Sequence, residues 1–132
     1  MICLESSFLI DWFRKQEYAR QFLEEQDAET RILVPTPVLH ELFIGAIQTG
    51  GTPDFTDRVY DALSYVEFID LSPEAAEEAA HIRISLQSRG KPIGGFDSLI
   101  AGITKNADAT LVAADRHFDR VDGLEVLNPR HD

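Results

Sequence analysis

The sequence predicts an α/β fold in which a central parallel sheet of about four to five short strands carries helices on both faces. Short apolar segments alternate along the chain with longer amphipathic ones, and this alternation is typical of parallel strands joined by crossover helices. Capping and turn residues separate the segments. The chain has 132 residues, which predicts a single domain, 1–132, able to bury a core without disulfides.

Composition indicates a soluble globular protein in a reducing compartment, and we expect it in the cytoplasm. Hydrophobic residues make up 44% of the chain, yet the longest apolar runs are far shorter than a membrane span. Residues 1–7 lack the basic and apolar regions of a signal peptide. Cys3, the single cysteine, lies in the first apolar run and is expected to be a buried strand residue rather than a nucleophile.

The first elements follow from short apolar runs and helix-capping residues. Ile2–Leu4 predicts a buried strand. Ser6 or Ser7 is expected to cap the next helix, because a serine hydroxyl accepts a hydrogen bond from a free amide of the first turn. An amphipathic pattern predicts a second helix over 17–26, and residues 31–34 predict a short strand.

Thr36 and Pro37 combine a capping hydroxyl with a proline suited to the first helical position, so they predict the start of a helix. The Gly50-Gly51 pair should end it. A further helix is predicted over 53–65, followed by a strand over 66–71.

Ser72 followed by proline predicts the start of a long helix that reaches about Ser88. After a loop over 89–92, Gly94-Gly95 precede a helix with apolar residues on one side. The remaining elements are a strand, a helical turn and a last strand, at 109–113, 115–118 and 124–127.

The net charge is −11, from 23 acidic and 12 basic residues, of which three are lysines. This surface resembles that of proteins from salt-loving cells, where salt screens self-repulsion. An ordinary acidic cytosolic protein is the alternative. The charge argues against a broad basic surface for nucleic acid. RNA remains a suitable substrate, because a metal ion and a few local cations can neutralise phosphate; the candidates are Arg83, Arg89, Lys91 and Arg116.

Four acidic residues lie where predicted strands end or predicted helices begin: Glu5, Glu41, Asp97 and Asp115. Each alone is an ordinary strand-end or helix carboxylate. Ligands of parallel sheets bind beyond the carboxyl ends of strands, at a switch in strand order. Because Mg²⁺ and Mn²⁺ prefer oxygen ligands, four carboxylates meeting there would hold such an ion and let it activate water against a phosphate.

The four acids lie in the segments ICLESSFLIDWF, TPVLHELFIGA, PIGGFDSLIAGITK and LVAADRHF. In this order and spacing, from Met1 to about Val126, the segments resemble the PIN-domain nucleases, and most closely the VapC-type toxins. The resemblance implies a PIN-like three-layer sandwich and an endoribonuclease that depends on Mg²⁺ or Mn²⁺. It further implies a VapB-type antitoxin partner, an RNA substrate, a homodimer and no membrane association.

The same resemblance implies roles for individual residues. All four acids, Glu5, Glu41, Asp97 and Asp115, would be catalytic, and Glu5, Asp97 and Asp115 would bind the metal. Two departures from the family pattern point to a weakened site. Glu5 stands where the family usually has aspartate, and the extra methylene disturbs octahedral geometry. Ala113 and Ala114 stand where the family has a serine or threonine that supports a metal ligand.

Other polar residues near these segments have ordinary interpretations. Asp11 is expected at a solvated helix position, and Asp119 in a surface turn. His40 is expected on the surface or at a partner contact. His117 is expected to be a packed or surface histidine rather than a general base.

Three alternative functions stay open at this stage. One is a PIN nuclease of RNA processing or decay. Another is a PIN-like binding module with weak or no catalysis, for which Glu5 and Ala113 are the reasons. The third is a phosphoacceptor or phosphatase domain. It is disfavoured because ICLESS lacks a second acid and because the three lysines are poorly placed relative to the acids.

Overall fold

The computed structural model describes residues 1–50 and 54–131. Its described part contains five strands, all parallel: β1 (Ile2–Leu4), β2 (Ile32–Pro35), β3 (Glu67–Ile69), β4 (Thr110–Val112) and β5 (Val126–Leu127). The order across the sheet is β3-β2-β1-β4-β5. Every residue of the central strand β1 is buried, and successive side chains point to opposite faces, so both faces are covered. The predicted α/β class is confirmed.

The strands alternate with helices, as predicted: α1 (Ser6–Phe13), α2 (Glu17–Glu24), α3 (Thr36–Gln48), α4 (Phe55–Ala62), α5 (Pro73–Ser88), α6 (Gly95–Asn106) and a 3-10 turn at His117–Arg120. Among the described helices, none combines the length and the apolar character needed to cross a membrane.

The switch in strand order lies between β1 and β4, which pair in parallel at the middle of the sheet. The chain leaves β1 towards β2 on one side, while β4 leads to β5 on the other. A crevice forms beyond the carboxyl ends of such a strand pair. Glu5 directly follows β1, and Asp115 follows β4 after two alanines. The fold therefore presents two of the predicted site residues at this crevice.

Two predicted helix caps are wrong. Ser6 and Ser7 lie inside α1; its N-cap is Glu5, whose carboxylate accepts a hydrogen bond from the Ser7 N–H. Thr36 lies inside α3, which has Pro35 as its N-cap and no side-chain cap bond. Neither helix is separated from its strand by a loop, because Glu5 directly follows β1 and Pro35 is the last residue of β2. Each helix therefore begins before a serine or threonine hydroxyl can serve as its N-cap.

Other boundaries agree with the sequence. The Ser72 hydroxyl caps α5 by accepting a bond from the Ala75 N–H at 3.1 Å. Gly50 follows the end of α3 with φ +74°, a left-handed conformation that glycine adopts without strain. Helix α4 and strand β3 are shorter than predicted, and Gly51 and Pro53 lie outside the described residues.

Helices α5 and α6 pack in direct backbone contact at Gly102. A Cβ at Gly102 would lie 2.6 Å from the Ala79 Cβ and 2.7 Å from the Ala75 carbonyl oxygen. Real Cβ atoms essentially never approach other heavy atoms this closely. Because α6 carries Asp97 in its first turn, this contact also fixes the height of Asp97 relative to the sheet.

We expect Gly102→Ala to destabilise the protein by about 1–3 kcal/mol, since overpacking a helix contact forces backbone shifts. Gly45→Ala in α3 is the matched control, because nothing lies within 4 Å of a Cβ there. Removing a helical glycine there should raise stability by about 0.5–1 kcal/mol. Urea unfolding measures both, and equal stabilities for the two variants would contradict the close contact.

Candidate active site

Glu5 lies buried at the carboxyl end of β1, with 4% of its surface exposed. Its Oε2 accepts a hydrogen bond from the Ser7 N–H at 2.9 Å and another from the Ser7 hydroxyl. Its own N–H donates to the Val112 carbonyl of β4 at 3.0 Å. Burial raises the pKa of Glu5 to about 7, although both bonds from Ser7 oppose the rise. The carboxylate is thus fixed in place but costly to ionise.

Ser7 joins the ends of the two central strands. Its Oγ donates to Glu5 and accepts a hydrogen bond from the Ala114 N–H at 2.8 Å. The next residue, Asp115, has a partly exposed side chain, and its Oδ1 accepts from the His117 N–H at 2.9 Å. One serine therefore sets the spacing between the segments that carry Glu5 and Asp115.

Glu41 approaches the same crevice from the second turn of α3. Its Oε1 accepts a hydrogen bond from the buried Ser6 hydroxyl at 2.8 Å. Burial raises the pKa of Glu41, the bond from Ser6 lowers it, and the charge of Asp97 raises it again. Ser6 and Ser7 are neighbours in sequence, and each holds one of the four carboxylates.

Asp97 reaches the crevice from the first turn of α6. Its side chain is about one quarter exposed, and its Oδ2 lies 3.8 Å from Nδ1 of His117. The same Nδ1 lies 3.6 Å from the Asp115 Oδ1. Burial raises the pKa of Asp97, the charge of Asp115 adds to the rise, and His117 opposes it.

The four carboxylates repel one another. The charge of Asp115 raises the pKa of Glu5, of Glu41 and of Asp97, and the charge of Glu41 raises that of Glu5. Because a charge shifts a pKa appreciably only at short range, these shifts place the four groups in one region. The structure thus brings together all four acids singled out from the sequence, and a cation there would relieve the repulsion.

The donor set suits a hard divalent cation, because it consists of carboxylate oxygens. Within the described ranges, no three acidic, histidine or cysteine side chains already stand close enough to share one ion. Mg²⁺ commonly keeps several waters and reaches part of its carboxylate set through them. A divalent ion held by these four acids would therefore be bound partly through its waters.

The family model described as "PIN domain" matches residues 2–124, nearly the whole chain. The chain belongs to the PIN-domain family. The match begins in β1, ends beside β5 and includes all four carboxylates.

Two curated relatives of this PIN-domain protein are both described as "tRNA(fMet)-specific endonuclease VapC". The one from Shigella flexneri is 30% identical over 98 residues, covering 73% of this chain and 74% of the relative. The one from Salmonella typhimurium is 28% identical over 98 residues, covering 74% of each protein.

Solved structures share the fold along nearly the full chain. VapBC2 from Rickettsia felis, bound to a DNA fragment from its promoter, has a chain that matches with a TM-score of 0.89. The identity is 26%, over 97% of this chain and 98% of that one. DNA-bound VapBC from Salmonella typhimurium matches with a TM-score of 0.83 and 24% identity, over 97% of each chain. The predicted fold and the predicted family, VapC-type PIN-domain ribonucleases, are confirmed.

Sequence reasoning missed three residues of the site. The His117 ring is exposed, which agrees with the prediction of a packed or surface histidine, but the sequence did not predict that it lies beside Asp97 and Asp115. Ser6 and Ser7 were considered only as caps, although each bonds a site carboxylate. The signal for the serines was their position immediately after Glu5, where the first turn of α1 points them back at the strand ends.

The arginines and the further acid that were predicted near the site have different partners in the structure. Arg89 pairs with Asp122 at 2.8 Å, on the part of the surface that follows the 3-10 turn. Arg83 lies near Gly95, at the start of the helix that bears Asp97. Asp11 is not a solvated helix residue: it accepts a hydrogen bond from the Tyr18 hydroxyl and its side chain is only 15% exposed. The folding of α2 against α1 supplies that partner.

We expect Ser6→Ala to lower RNA cleavage by about 10- to 100-fold, because Glu41 loses the hydroxyl that orients it. The free energy of unfolding should fall by only about 1 kcal/mol. Initial cleavage rates and urea unfolding measure the two effects. Ser88→Ala, which removes an exposed hydroxyl bonded to the Ser85 carbonyl, is the control. A Ser6→Ala variant that cleaves at the wild-type rate would show that Glu41 needs no such support.

Proposed function

We propose that this PIN-domain protein is a metal-dependent endoribonuclease, the toxin of a VapBC-type toxin–antitoxin pair. The observation that carries the proposal is the convergence of Glu5, Glu41, Asp97 and Asp115 at the switch point, where the charge of Asp115 raises the pKa of the other three acids. A site that stores this much negative charge is suited to a divalent cation. The VapC endonucleases of Shigella and Salmonella support the same reaction class.

In this proposal Glu5, Asp97 and Asp115 hold Mg²⁺ or Mn²⁺, directly or through its waters, and Glu41 is the fourth catalytic carboxylate. An ion of this class neutralises phosphate oxygens and activates a water for in-line attack on phosphorus. Ser7 fixes Glu5 against the end of β4, and Ser6 orients Glu41. The negative charge of Asp115 attracts a cation directly, and a bound cation would offset the rise in pKa that Asp115 causes at the neighbouring acids.

The proposed partner is a VapB-type antitoxin that blocks the site. The solved relatives from Rickettsia felis and Salmonella typhimurium are VapBC complexes bound to DNA, and we propose the same type of assembly here. The toxin itself is proposed to form a homodimer. Co-expression with a VapB-type antitoxin, followed by light scattering of the purified complex, tests the first statement, and light scattering of the toxin alone tests the second.

Cleavage of an RNA panel tests the enzymatic proposal. The panel contains total RNA, structured RNAs and tRNA(fMet), the substrate named for both curated relatives. Reactions contain Mg²⁺ or Mn²⁺ at low and at molar salt, because salt screens the repulsion between RNA and a protein of net charge −11. Cutting that needs the metal and disappears in Asp97→Asn supports the proposal. A folded protein that cuts none of these RNAs under any condition would contradict it.

A binding module with weak or no catalysis is the second candidate, and one observation favours it. Oε2 of Glu5 is already occupied by the N–H and the hydroxyl of Ser7, which leaves less of this carboxylate for an ion. Glu5→Asp separates the two functions. A large gain in cleavage would show an enzyme weakened by its glutamate, whereas no cleavage in either form would favour the binding module.

A further inference from the structure

An exposed aromatic pair borders the carboxylates. His40 on α3 and Phe96 on α6 have their ring centroids 5.4 Å apart and their planes 13° apart, a parallel stack. Both residues are exposed, and Phe96 keeps 45% of its surface in solvent. Each ring belongs to the residue immediately before a site acid, Glu41 or Asp97. The His40–Phe96 stack therefore connects α3 and α6 at positions one residue away from these two acids.

The stack contributes little to the core. Phe96 is the most exposed phenylalanine of the chain, whereas Phe8 and Phe118 are fully buried. Two rings that stack with one another and still face water offer a flat, apolar surface onto which a further planar group can stack.

A shallow cavity of about 430 Å³ adjoins Phe96; its lining includes Ala76, Ala79, Ala80, Arg83 and Gly95. The small side chains leave the ring accessible. Arg83 Nη1 lies 3.9 Å from the position a Gly95 Cβ would take. Across residues 1–50 and 54–131, Arg83 forms no ion pair with a carboxylate. A free guanidinium thus stands beside an exposed ring.

We propose that the His40–Phe96 stack is a nucleobase-binding subsite that holds a single-stranded RNA nucleotide next to the phosphate being cleaved, with Arg83 contacting the backbone of that nucleotide. The inference rests on the proposed nuclease function. It answers a physical difficulty of that function, because a chain of net charge −11 repels an RNA backbone. Stacking needs no positive charge and tolerates any base, so it supplies affinity where the phosphates cannot.

Phe96→Ala should raise the KM for RNA cleavage by about 5- to 100-fold, the loss expected for one stacked base, and leave kcat nearly unchanged. Phe96→Trp should restore the KM, since a larger ring still stacks. Phe68→Ala is the matched control, because it removes a comparably exposed ring from strand β3. A rise in KM in Phe96→Ala alone supports the subsite.

Binding is measured separately with a short single-stranded RNA that carries 2-aminopurine beside the cleaved bond, using the Asp97→Asn protein, which is expected not to cut it. Quenching of 2-aminopurine that disappears in Asp97→Asn/Phe96→Ala supports stacking even if the wild-type protein fails to cleave. Unchanged quenching and unchanged KM overturn the subsite. A Phe96→Ala protein that changes its oligomeric state by light scattering, with KM and quenching unaltered, also overturns it and assigns the stack to a contact with a second copy of the chain.

Discussion

Asp97→Asn is expected to lower metal-dependent RNA cleavage by about 10²- to 10⁴-fold, without destabilising the protein in the absence of metal. A metal site contributes several kcal/mol of charge stabilisation to the transition state, and each 1.36 kcal/mol corresponds to a factor of ten in rate. Asparagine keeps the size of Asp97 but removes the charge. Single-turnover cleavage with saturating Mn²⁺ measures the chemical step.

The stability of the same variant is informative, because an ordinary structural aspartate would behave differently. The pKa of Asp97 is raised by burial and by Asp115, so the ionised group opposes folding at neutral pH. Asp97→Asn should therefore unfold at an equal or higher urea concentration in EDTA. Lower activity together with lower stability would instead indicate a residue that supports the fold.

Asp119→Asn is the matched control, because Asp119 is an exposed acid in the 3-10 turn beside the site. Asp119→Asn removes one negative charge near the site but leaves the four carboxylates of the site unchanged. Cleavage within about threefold of wild type is expected, as for most surface substitutions. Equal losses in the two variants would point to long-range electrostatics in place of metal binding by Asp97.

Glu5 should make the metal-free protein lose stability as the pH rises, by an amount on the order of 3 kcal/mol. Its pKa is raised from 4.5 to about 7, mainly by burial. Between these values the folded state keeps a proton that the unfolded chain has released. The free energy of unfolding therefore decreases through this window and is fully reduced above pH 7.

Urea unfolding in EDTA at a series of pH values, for wild type and Glu5→Gln, measures this contribution. Glutamine retains an oxygen that can accept the hydrogen bonds from Ser7 and does not titrate, so the difference between the two curves isolates Glu5. The variant should be the more stable form above pH 7. Parallel curves would mean that the carboxylate is solvated more fully than its 4% exposure indicates. Adding Mg²⁺ should restore the free energy of unfolding that the wild-type protein loses above pH 7, because a cation that binds only the folded state stabilises it.

Much of the fold could be predicted because its signals are local. Apolar runs such as Ile2–Leu4 define strands, and Ser72 with Pro73 defines a helix start whether or not the rest of the chain is known. The caps of α1 and α3 could not be predicted in this way. Their starting points depend on where the preceding strand stops pairing, and strand pairing is a long-range property.

The site was predictable to a similar extent. The ends of predicted strands place Glu5 and Asp115 at the crevice. The resemblance of the surrounding segments to PIN-domain nucleases predicts that Glu41 and Asp97 join them there. The sequence could not place His117 against Asp97, because that contact joins α6 to the turn after β4. It also could not show that Ser6 and Ser7 turn towards different acids, since their direction follows from the first turn of α1.

Glu5 is both a candidate metal ligand and the N-cap residue of α1. A mutation at position 5 that abolishes catalysis is therefore expected to affect folding as well. Asp97 can change to a neutral residue with little cost to folding, because its ionised form opposes folding, whereas Asp115 accepts a hydrogen bond from the His117 N–H. At position 5, most replacements also remove the hydrogen-bond acceptor for the Ser7 N–H. Variants that lose RNA cleavage yet still fold and reach a partner are therefore expected at Asp97 more often than at Glu5.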